Sequence, residues 1–417
     1  MKIYFKTFGC RVNQIETESL REKILSYGNE ETEKTEEADC LVVNTCSVTS
    51  KADRDVMVFL RKAYSDNPSC RIFVSGCFAE LFPDKIRSAV PTAQIFKNAD
   101  KEKIASALCG VAVAEDFSAV TGFYGRSRAF VKIQDGCNLK CSYCLVNMAR
   151  SELRSKPMPS AVNEIKRLIE AGFAEIVLCG TRLGYYHCPE TGADLNALMM
   201  KIFELPGNFR IRFSSMEITE LNKPLLATLT SAGSRFCNYF HLPLQAGSDN
   251  VLKAMNRPYS LARYSEMLSV LRNLFPDAGL YADIIAGFPS ESEADFNESE
   301  KFVRKEKLSG LHIFSFSSRP GTRAAKMNQL KPCVIKERSR LLHETDALLR
   351  HNFAESQKGK LLQILALHDK KGHPQGLTSN FLTVEIDNAE DRFENGQLAM
   401  AEITGIKKGI IYAKLKK

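Results

Sequence analysis

The 417-residue sequence predicts an α/β protein in three parts: an N-terminal doubly wound parallel sheet, a central partial (β/α)6 barrel and a small C-terminal β-barrel. Three observations lead there. Residues 1–110 alternate short apolar β-type runs with helical patterns. A second alternating series follows from about residue 128, and strand–helix alternation builds parallel sheets. Residues 359–417 instead carry short β-like runs separated by Gly, Asn and Lys, the pattern of a small closed barrel.

The first series places strands at 2–7, 40–43, 71–75 and 93–96, and helices at 14–27, 51–64, 83–89 and 101–108. Gly28, Pro68, Pro91 and Gly110 are the stop signals. Residues 111–127 read as a connector, with Gly122 and Gly125 near its end. Six strands follow, at 130–133, 175–178, 210–214, 239–242, 281–285 and 311–316, with helices between them such as 161–171 before Gly172. Six such units make an incomplete barrel whose chemistry belongs at the C-terminal ends of its strands. A long charged helix covers 334–358, and the tail strands fall at 361–367, 382–386, 398–403 and 410–415. The expected domains are 1–112, 123–355 and 356–417.

The charge is unevenly placed. Residues 319–417 hold 18 Lys/Arg against 11 Asp/Glu, whereas residues 1–318 hold 39 against 38. Most of the formal +8 therefore lies in the last quarter, which predicts a polyanion, foremost a nucleic acid, docking there. The N-terminus mixes charges among its apolar residues, and no stretch approaches the ~18 consecutive apolar residues of a membrane span. A cytosolic protein with no membrane association is expected. In a reducing compartment, 13 cysteines point to metal or catalytic use rather than disulfides.

Cys137, Cys141 and Cys144 form a C-x3-C-x2-C run just after the first strand of the second series. Three thiolates this close suit an iron–sulfur site, and three rather than four leave one iron open to a small molecule. Cys10, Cys46 and Cys77 each follow directly on a strand of the first series. The carboxyl ends of parallel strands line one crevice, so these three can converge although distant in sequence. Cys40 and Cys70 lie at the opposite strand ends, roughly 20 Å away at about 3.3 Å per residue.

These residues also carry a family resemblance over the whole chain. The sequence resembles the radical-SAM methylthiotransferases, most closely the MtaB-type branch that modifies N6-threonylcarbamoyladenosine beside the tRNA anticodon. TFGCRVNQIETE (residues 7–18) is the most branch-specific piece. VVNTCSVT (42–49), VSGCFAE (74–80), VKIQDGCNLKCSYC (131–144), SSMEI (214–218), HLPLQAGSDNVLKAMNRPY (241–259), DIIAGFPSE (283–291) and HIFSFSSRPGT (312–322) follow in family order. The tail resembles a TRAM domain, an RNA-binding β-barrel.

The resemblance implies two [4Fe-4S] clusters and S-adenosylmethionine. The Cys137/Cys141/Cys144 cluster would bind S-adenosylmethionine and yield a 5′-deoxyadenosyl radical that takes hydrogen from C2 of the adenine. The Cys10/Cys46/Cys77 cluster would carry the inserted sulfur, methylated by a second S-adenosylmethionine. That C–H bond is not acidic enough for side-chain base catalysis, so the chemistry falls to cofactors. Tyr143, Gly180, Thr181, Glu217, Gln245 and Ser248 are the candidate S-adenosylmethionine contacts. Arg150, Arg154, Arg319, Arg323, Lys407, Lys408 and Lys414 are the candidate substrate and RNA contacts. Partners would be the tRNA anticodon stem-loop, an electron donor such as flavodoxin or ferredoxin, and a sulfur donor; a monomer is expected. His241 reads equally as a site residue or a hydrogen-bonded core histidine.

The chain departs from the family pattern at Asn147, Ser151, Ser290 and Phe316, where proline, glycine, glycine and tyrosine are usual. None of these is a cluster ligand; they bear on the loop shape around the substrate. Competing readings are a methylthiotransferase for isopentenyladenosine or for a ribosomal-protein aspartate, and, in another class, an RNA-binding iron–sulfur redox or sensor protein. The open-iron cysteine run argues against the last. The RVNQ after Cys10 and the basic tail argue against the protein substrate.

Overall fold

The computed structural model describes residues 1–112, 119–123, 127–369, 371–387 and 394–416. The expected connector glycine Gly125 and the terminal Lys417 lie outside the described residues.

The N-terminal sheet comprises β1 (Lys2–Thr7), β2 (Glu30–Glu31), β3 (Cys40–Thr45), β4 (Arg71–Gly76) and β5 (Gln94–Ile95), in the order β2-β1-β3-β4-β5 and parallel throughout. Its helices are α1 (Arg11–Ser26), α2 (Ser50–Asp66), α3 (Cys77–Leu81), α4 (Pro83–Ala89) and α5 (Lys103–Cys109). Buried side chains of the central strands point alternately to two cores. Leu41, Val43, Ile72 and Val74 pack with α2 and α4, and Cys40, Val42 and Phe73 pack with α1 and α5. Helix α1 begins at Arg11, ahead of the expected start, because the Cys10 carbonyl already accepts the Gln14 amide at 3.2 Å. The two-residue β2 and the single-turn α3 are too short to leave a periodic signal.

The central region runs β6 (Ala129–Asp135), α6 (Val146–Ala149), β7 (Arg154–Ser155), α7 (Met158–Glu170), β8 (Glu175–Gly180), α8 (Leu195–Phe203), β9 (Arg210–Phe213), α9 (Lys223–Ser231), β10 (Tyr239–His241), α10 (Asp249–Ala254), α11 (Leu261–Leu274), β11 (Gly279–Ala286), α12 (Glu293–Lys305) and β12 (Gly310–Ser315). Strands β6, β8 and β9 pair in parallel, as do β10, β11 and β12. Isolated parallel bridges, Ile211 to Phe236 and Ser215 to His241, join the two groups. The six expected strands thus form one open, curved wall around a single large core. β7 is an antiparallel edge beside β6.

Helix α13 (Pro332–Ser356) crosses back over β11 and β12. The tail is a closed barrel of β13 (Leu361–His368), β14 (Pro374–Thr378), β15 (Thr383–Ile386), β17 (Ile410–Leu415) and β16 (Leu398–Lys407), in that spatial order. Local pattern does not reveal β14, because Pro374 and Gly376 disguise it.

The tail barrel closes the N-terminal end of the half-barrel. Arg210 and Arg212, at the start of β9, are fully buried and flank the carboxylate of Glu175. Their remaining N–H groups donate to the tail carbonyls of Gln363, Leu377, Thr378 and Ser379 at 2.8–3.1 Å. Phe381 packs against Tyr239, its ring tilted, with centroids 4.4 Å apart. The opposite, C-terminal strand ends face the N-terminal sheet.

Candidate active site

Each cysteine of the first triad is delivered by a strand end. Cys10 caps α1 after β1, Cys46 follows β3 and Cys77 opens α3 after β4. Two glycines make their approach possible. Gly9 has φ +99°, and a Cβ there would lie 2.5 Å from Cβ of Cys46. Gly76 has φ +97°, and a Cβ there would lie 2.3 Å from the Thr45 carbonyl oxygen. Side chains then lock the loops together. Asn13 donates to the Phe8 and Thr45 carbonyls at 2.8 and 3.1 Å. Thr45 donates to the Ser75 carbonyl at 2.6 Å and accepts from the Ala79 amide at 3.0 Å.

The second triad sits on the loop after β6. The Cys137 amide donates to the Arg150 carbonyl at 3.0 Å and the Ser142 amide to Met255 at 2.9 Å. Arg257 donates to Sγ of Cys141 at 3.3 Å while pairing with Glu217. All six cysteines line one cavity of about 440 Å³ between the N-terminal sheet and the mouth of the half-barrel. A smaller cavity of about 220 Å³ adjoins it, sharing Cys77, Tyr143, Cys144 and Gln245.

The donor sets fit iron–sulfur clusters better than single ions. Each triad is all sulfur, and the thiols of each lie near enough to feel one another's charge. Yet neither triad brings its three sulfurs within 4.8 Å of one another; among the described residues only His241, Asp283 and His312 do so with their donor atoms. Cluster thiolates bind different irons and so stand wider apart than the ligands of one ion. Burial pushes the Cys46 and Cys144 thiols up to about 12, so metal binding here must expel protons.

Behind the first triad lies a buried ion cluster. Glu16 meets Arg150 (2.8 Å), Lys132 (2.8 Å) and Lys101 (2.5 Å), and Asp135 meets Arg150 (2.7 Å) and Lys132 (3.2 Å). Burial opposes ionisation of Glu16, but Arg150, Lys101 and Lys132 together hold its carboxyl well below the usual range. Three cations meet two carboxylates, and Cys10 and Cys77 both feel the Arg150 charge.

This corrects the expectation for Arg150. Its guanidinium is buried and spent on Asn13, Glu16 and Asp135, so it tethers the N-terminal sheet to β6 instead of meeting RNA. Arg319 is corrected likewise. It is buried and donates to Ser47 (2.8 Å), Ser50 (3.1 Å) and Asp53 (2.5 Å), fastening the loop after β12 to the start of α2. Ser248 lies outside the cavity; it is fully buried and donates to Asp295 at 2.7 Å.

The other expected contacts do reach the cavity. Gly180, Thr181, Glu217, Tyr143 and Gln245 all line it. Thr181 donates to Asp135 at 3.1 Å, and Gln245 sits at φ +72° bridging to β11. Arg323, Lys407, Lys408 and Lys414 are exposed, and Arg154 is half-buried on edge strand β7, off the main cavity. Ser290 has φ +67°, which explains the usual preference for glycine there.

Sequence reasoning missed Arg257, and it singled out His241 without the Asp283 and His312 that join it. Asp283 Oδ1 stands 2.6 Å from His241 Nε2 and 3.2 Å from His312 Nδ1. Burial pushes the Asp283 carboxyl up, but the two histidines outweigh it and hold it at about 2. All three fall inside motifs, one per adjacent strand β10, β11 and β12; only strand pairing shows that they meet.

A half-barrel of parallel strands with a three-cysteine loop at its mouth is the build of a radical-SAM protein. The model of the radical SAM superfamily matches residues 131–303, and that of the uncharacterized protein family UPF0004 matches residues 2–97. The fold resembles a radical S-adenosylmethionine methyltransferase, TsrM, from Kitasatospora setae, solved with cobalamin and a [4Fe-4S] cluster (TM-score 0.56, 10% identity, 78% of this chain and 76% of that one). Among curated relatives, the threonylcarbamoyladenosine tRNA methylthiotransferase MtaB of Aquifex aeolicus is 34% identical over 92% of this chain and 96% of its own. That of Bacillus subtilis is 31% identical over 93% and 91%. The tRNA-2-methylthio-N(6)-dimethylallyladenosine synthase of A. aeolicus is 30% identical over 91% and 90%. The chain belongs to the MtaB-type methylthiotransferase family. Its cofactors are accordingly S-adenosylmethionine and [4Fe-4S] clusters.

Proposed function

We propose that the chain is a tRNA methylthiotransferase that places a methylthio group on C2 of N6-threonylcarbamoyladenosine next to the anticodon. The observation that carries this reading is the single cavity shared by both cysteine triads. A substrate held there lies within reach of a radical source and a sulfur source at once. When bound, the clusters and S-adenosylmethionine supply the radical, sulfur and methyl chemistry.

The chain's own residues hold and orient. Cys137, Cys141 and Cys144 hold one cluster, and Cys10, Cys46 and Cys77 the other. Gly180, Thr181 and Glu217, at the ends of β8 and β9, take the polar parts of S-adenosylmethionine, with Tyr143 and Gln245 at its side. Arg257 pairs with Glu217 and orients Cys141. The positive ion cluster around Arg150 offsets the negative charge that three thiolates bring to the first triad. Lys407, Lys408 and Lys414 on the tail barrel, with Arg323, take tRNA phosphates without reading sequence. Arg154 stands as a further RNA contact outside the cavity. The units of this reading are 1–112, 123–355 and 356–417, acting as a cytoplasmic monomer fed by a flavodoxin- or ferredoxin-type electron donor and a separate sulfur donor. Among the described residues, no helix is long and apolar enough to cross a membrane.

Mass spectrometry of tRNA nucleosides, from a host lacking its own enzyme with and without this chain, tests the proposal. A gain of 2-methylthio on threonylcarbamoyladenosine is expected. A gain on dimethylallyladenosine alone would move the substrate, and unchanged tRNA would overturn the reading.

A further inference from the structure

Four arginines line the cavity, Arg11, Arg150, Arg182 and Arg257. Three are committed to carboxylates: Arg150 to Glu16 and Asp135, Arg182 to Glu220, and Arg257 to Glu217. Arg11 makes no ion pair with any described residue; its guanidinium lies 5.8 Å from the Phe130 ring. It is the cation that Tyr239 and Cys179, deeper in the cavity, feel most strongly.

Beyond its cation–π contact with Phe130, local structure gives no reason for a cation at this position. Arg11 is the first residue of the 16-residue helix α1, where the helix dipole is positive and favours anions. A half-buried guanidinium with no carboxylate partner among the described residues, at the positive end of a helix and on the wall of a cavity, is placed to receive an anion.

We infer that Arg11 binds the carboxylate of the threonyl group on the substrate's N6 substituent, and so selects N6-threonylcarbamoyladenosine over adenosines with an uncharged alkenyl chain. This rests on the tRNA methylthiotransferase reading above. The carboxylate is the one charge that a threonylcarbamoyl group adds to adenosine, and a guanidinium pairs with it in a planar, two-pronged fashion. A dimethylallyl group offers Arg11 no partner and leaves it desolvated, which sets one substrate against the other. Because Arg11 follows Cys10 directly, a substituent anchored there keeps the adenine beside the first triad.

The test compares the affinity of the cluster-loaded protein for two anticodon stem-loop RNAs. One carries N6-threonylcarbamoyladenosine and the other its threonine methyl ester, which lacks the charge. The parent protein is expected to prefer the acid by about 10- to 100-fold, the range of a charge-assisted hydrogen bond. Arg11→Gln should abolish that preference and Arg11→Lys should keep part of it. The ratio compares two ligands on one protein, so a partial folding defect does not mimic the result. An unchanged acid-over-ester ratio in Arg11→Gln would overturn the inference and leave the proposed function standing. Equal weakening of both RNAs would place Arg11 on a phosphate and also overturn it. A parent protein that methylthiolates only dimethylallyladenosine RNA would overturn the function, and this inference with it.

Discussion

Single residues set the geometry of both triads. Gly9 is the sharpest case, because its positive φ and the 2.5 Å clash of a Cβ with Cys46 both forbid a side chain. Gly9→Ala should separate Cys10 from Cys46 and halve the iron bound per chain, while S-adenosylmethionine cleavage by the second triad continues; full iron content would sink this account of the first triad. Asp283 makes a pH prediction. Its carboxyl is held at about 2 in the fold against an ordinary 3.8. The unfolded chain therefore takes up the proton first as pH falls. The stabilisation, about 2 kcal/mol, is full above pH ~4 and is lost as the pH drops through about 2. Asp283→Asn should flatten the urea-midpoint curve over that window, and a curve of unchanged slope would show that the histidines do not hold this charge.

At the scale of elements, the β8–β9 edge is fastened to the tail barrel by buried charge. Glu175 is fully buried and meets Arg210 at 2.7 Å, Arg212 at 2.8 Å and Arg128 at 3.5 Å. Breaking a buried ion pair by removing one partner typically costs ~3–5 kcal/mol, since the other charge stays desolvated. Glu175→Gln should lower the thermal midpoint and release the tail barrel to limited proteolysis before the half-barrel; co-ordinate cleavage of both would argue against a seam. Helix α12 provides a smaller reference. Ser292 and Asp295 cap its start reciprocally, and Ser292→Ala should cost about 1 kcal/mol in denaturant unfolding without exposing the tail.

At the scale of the molecule, two arginines hold the N-terminal sheet over the mouth of the half-barrel. Arg150 reaches Glu16 on α1 and Arg319 reaches Asp53 on α2. Arg150→Met strands Glu16 and Asp135 beside two lysines, so hydrogen exchange should rise across residues 1–110 and iron retention at the first triad should fall. The basic tail works at the same scale but through solvent. Removing Lys407 and Lys408 should weaken tRNA binding uniformly across sequences and shrink the logarithmic salt slope by about 2, measured by fluorescence anisotropy. An unchanged slope would move the RNA path off this barrel.

Much of this was legible in the chain itself. Period and punctuation placed all six strands of the half-barrel and four of the five in the N-terminal sheet, because long buried strands between Gly and Pro stops leave a strong local pattern. The six cysteines that meet in the cavity were likewise readable, three from adjacent spacing and three from their place at parallel strand ends. What spacing does not encode is which partner a side chain finds across the fold. Arg150, Arg319 and Ser248 looked available to ligand, and burial against Glu16, Asp53 and Asp295 gave them structural work. Conversely, Arg257 lay unmarked in its motif, and nothing local showed that strand pairing brings His241 together with Asp283 and His312. Local pattern and residue type were enough to set the elements and the metal-binding chemistry. Which charges are spent and which stand open follows from the folded chain alone, because ion pairing is settled by distances of a few ångströms between residues as far as 266 positions apart, as with Arg319 and Asp53.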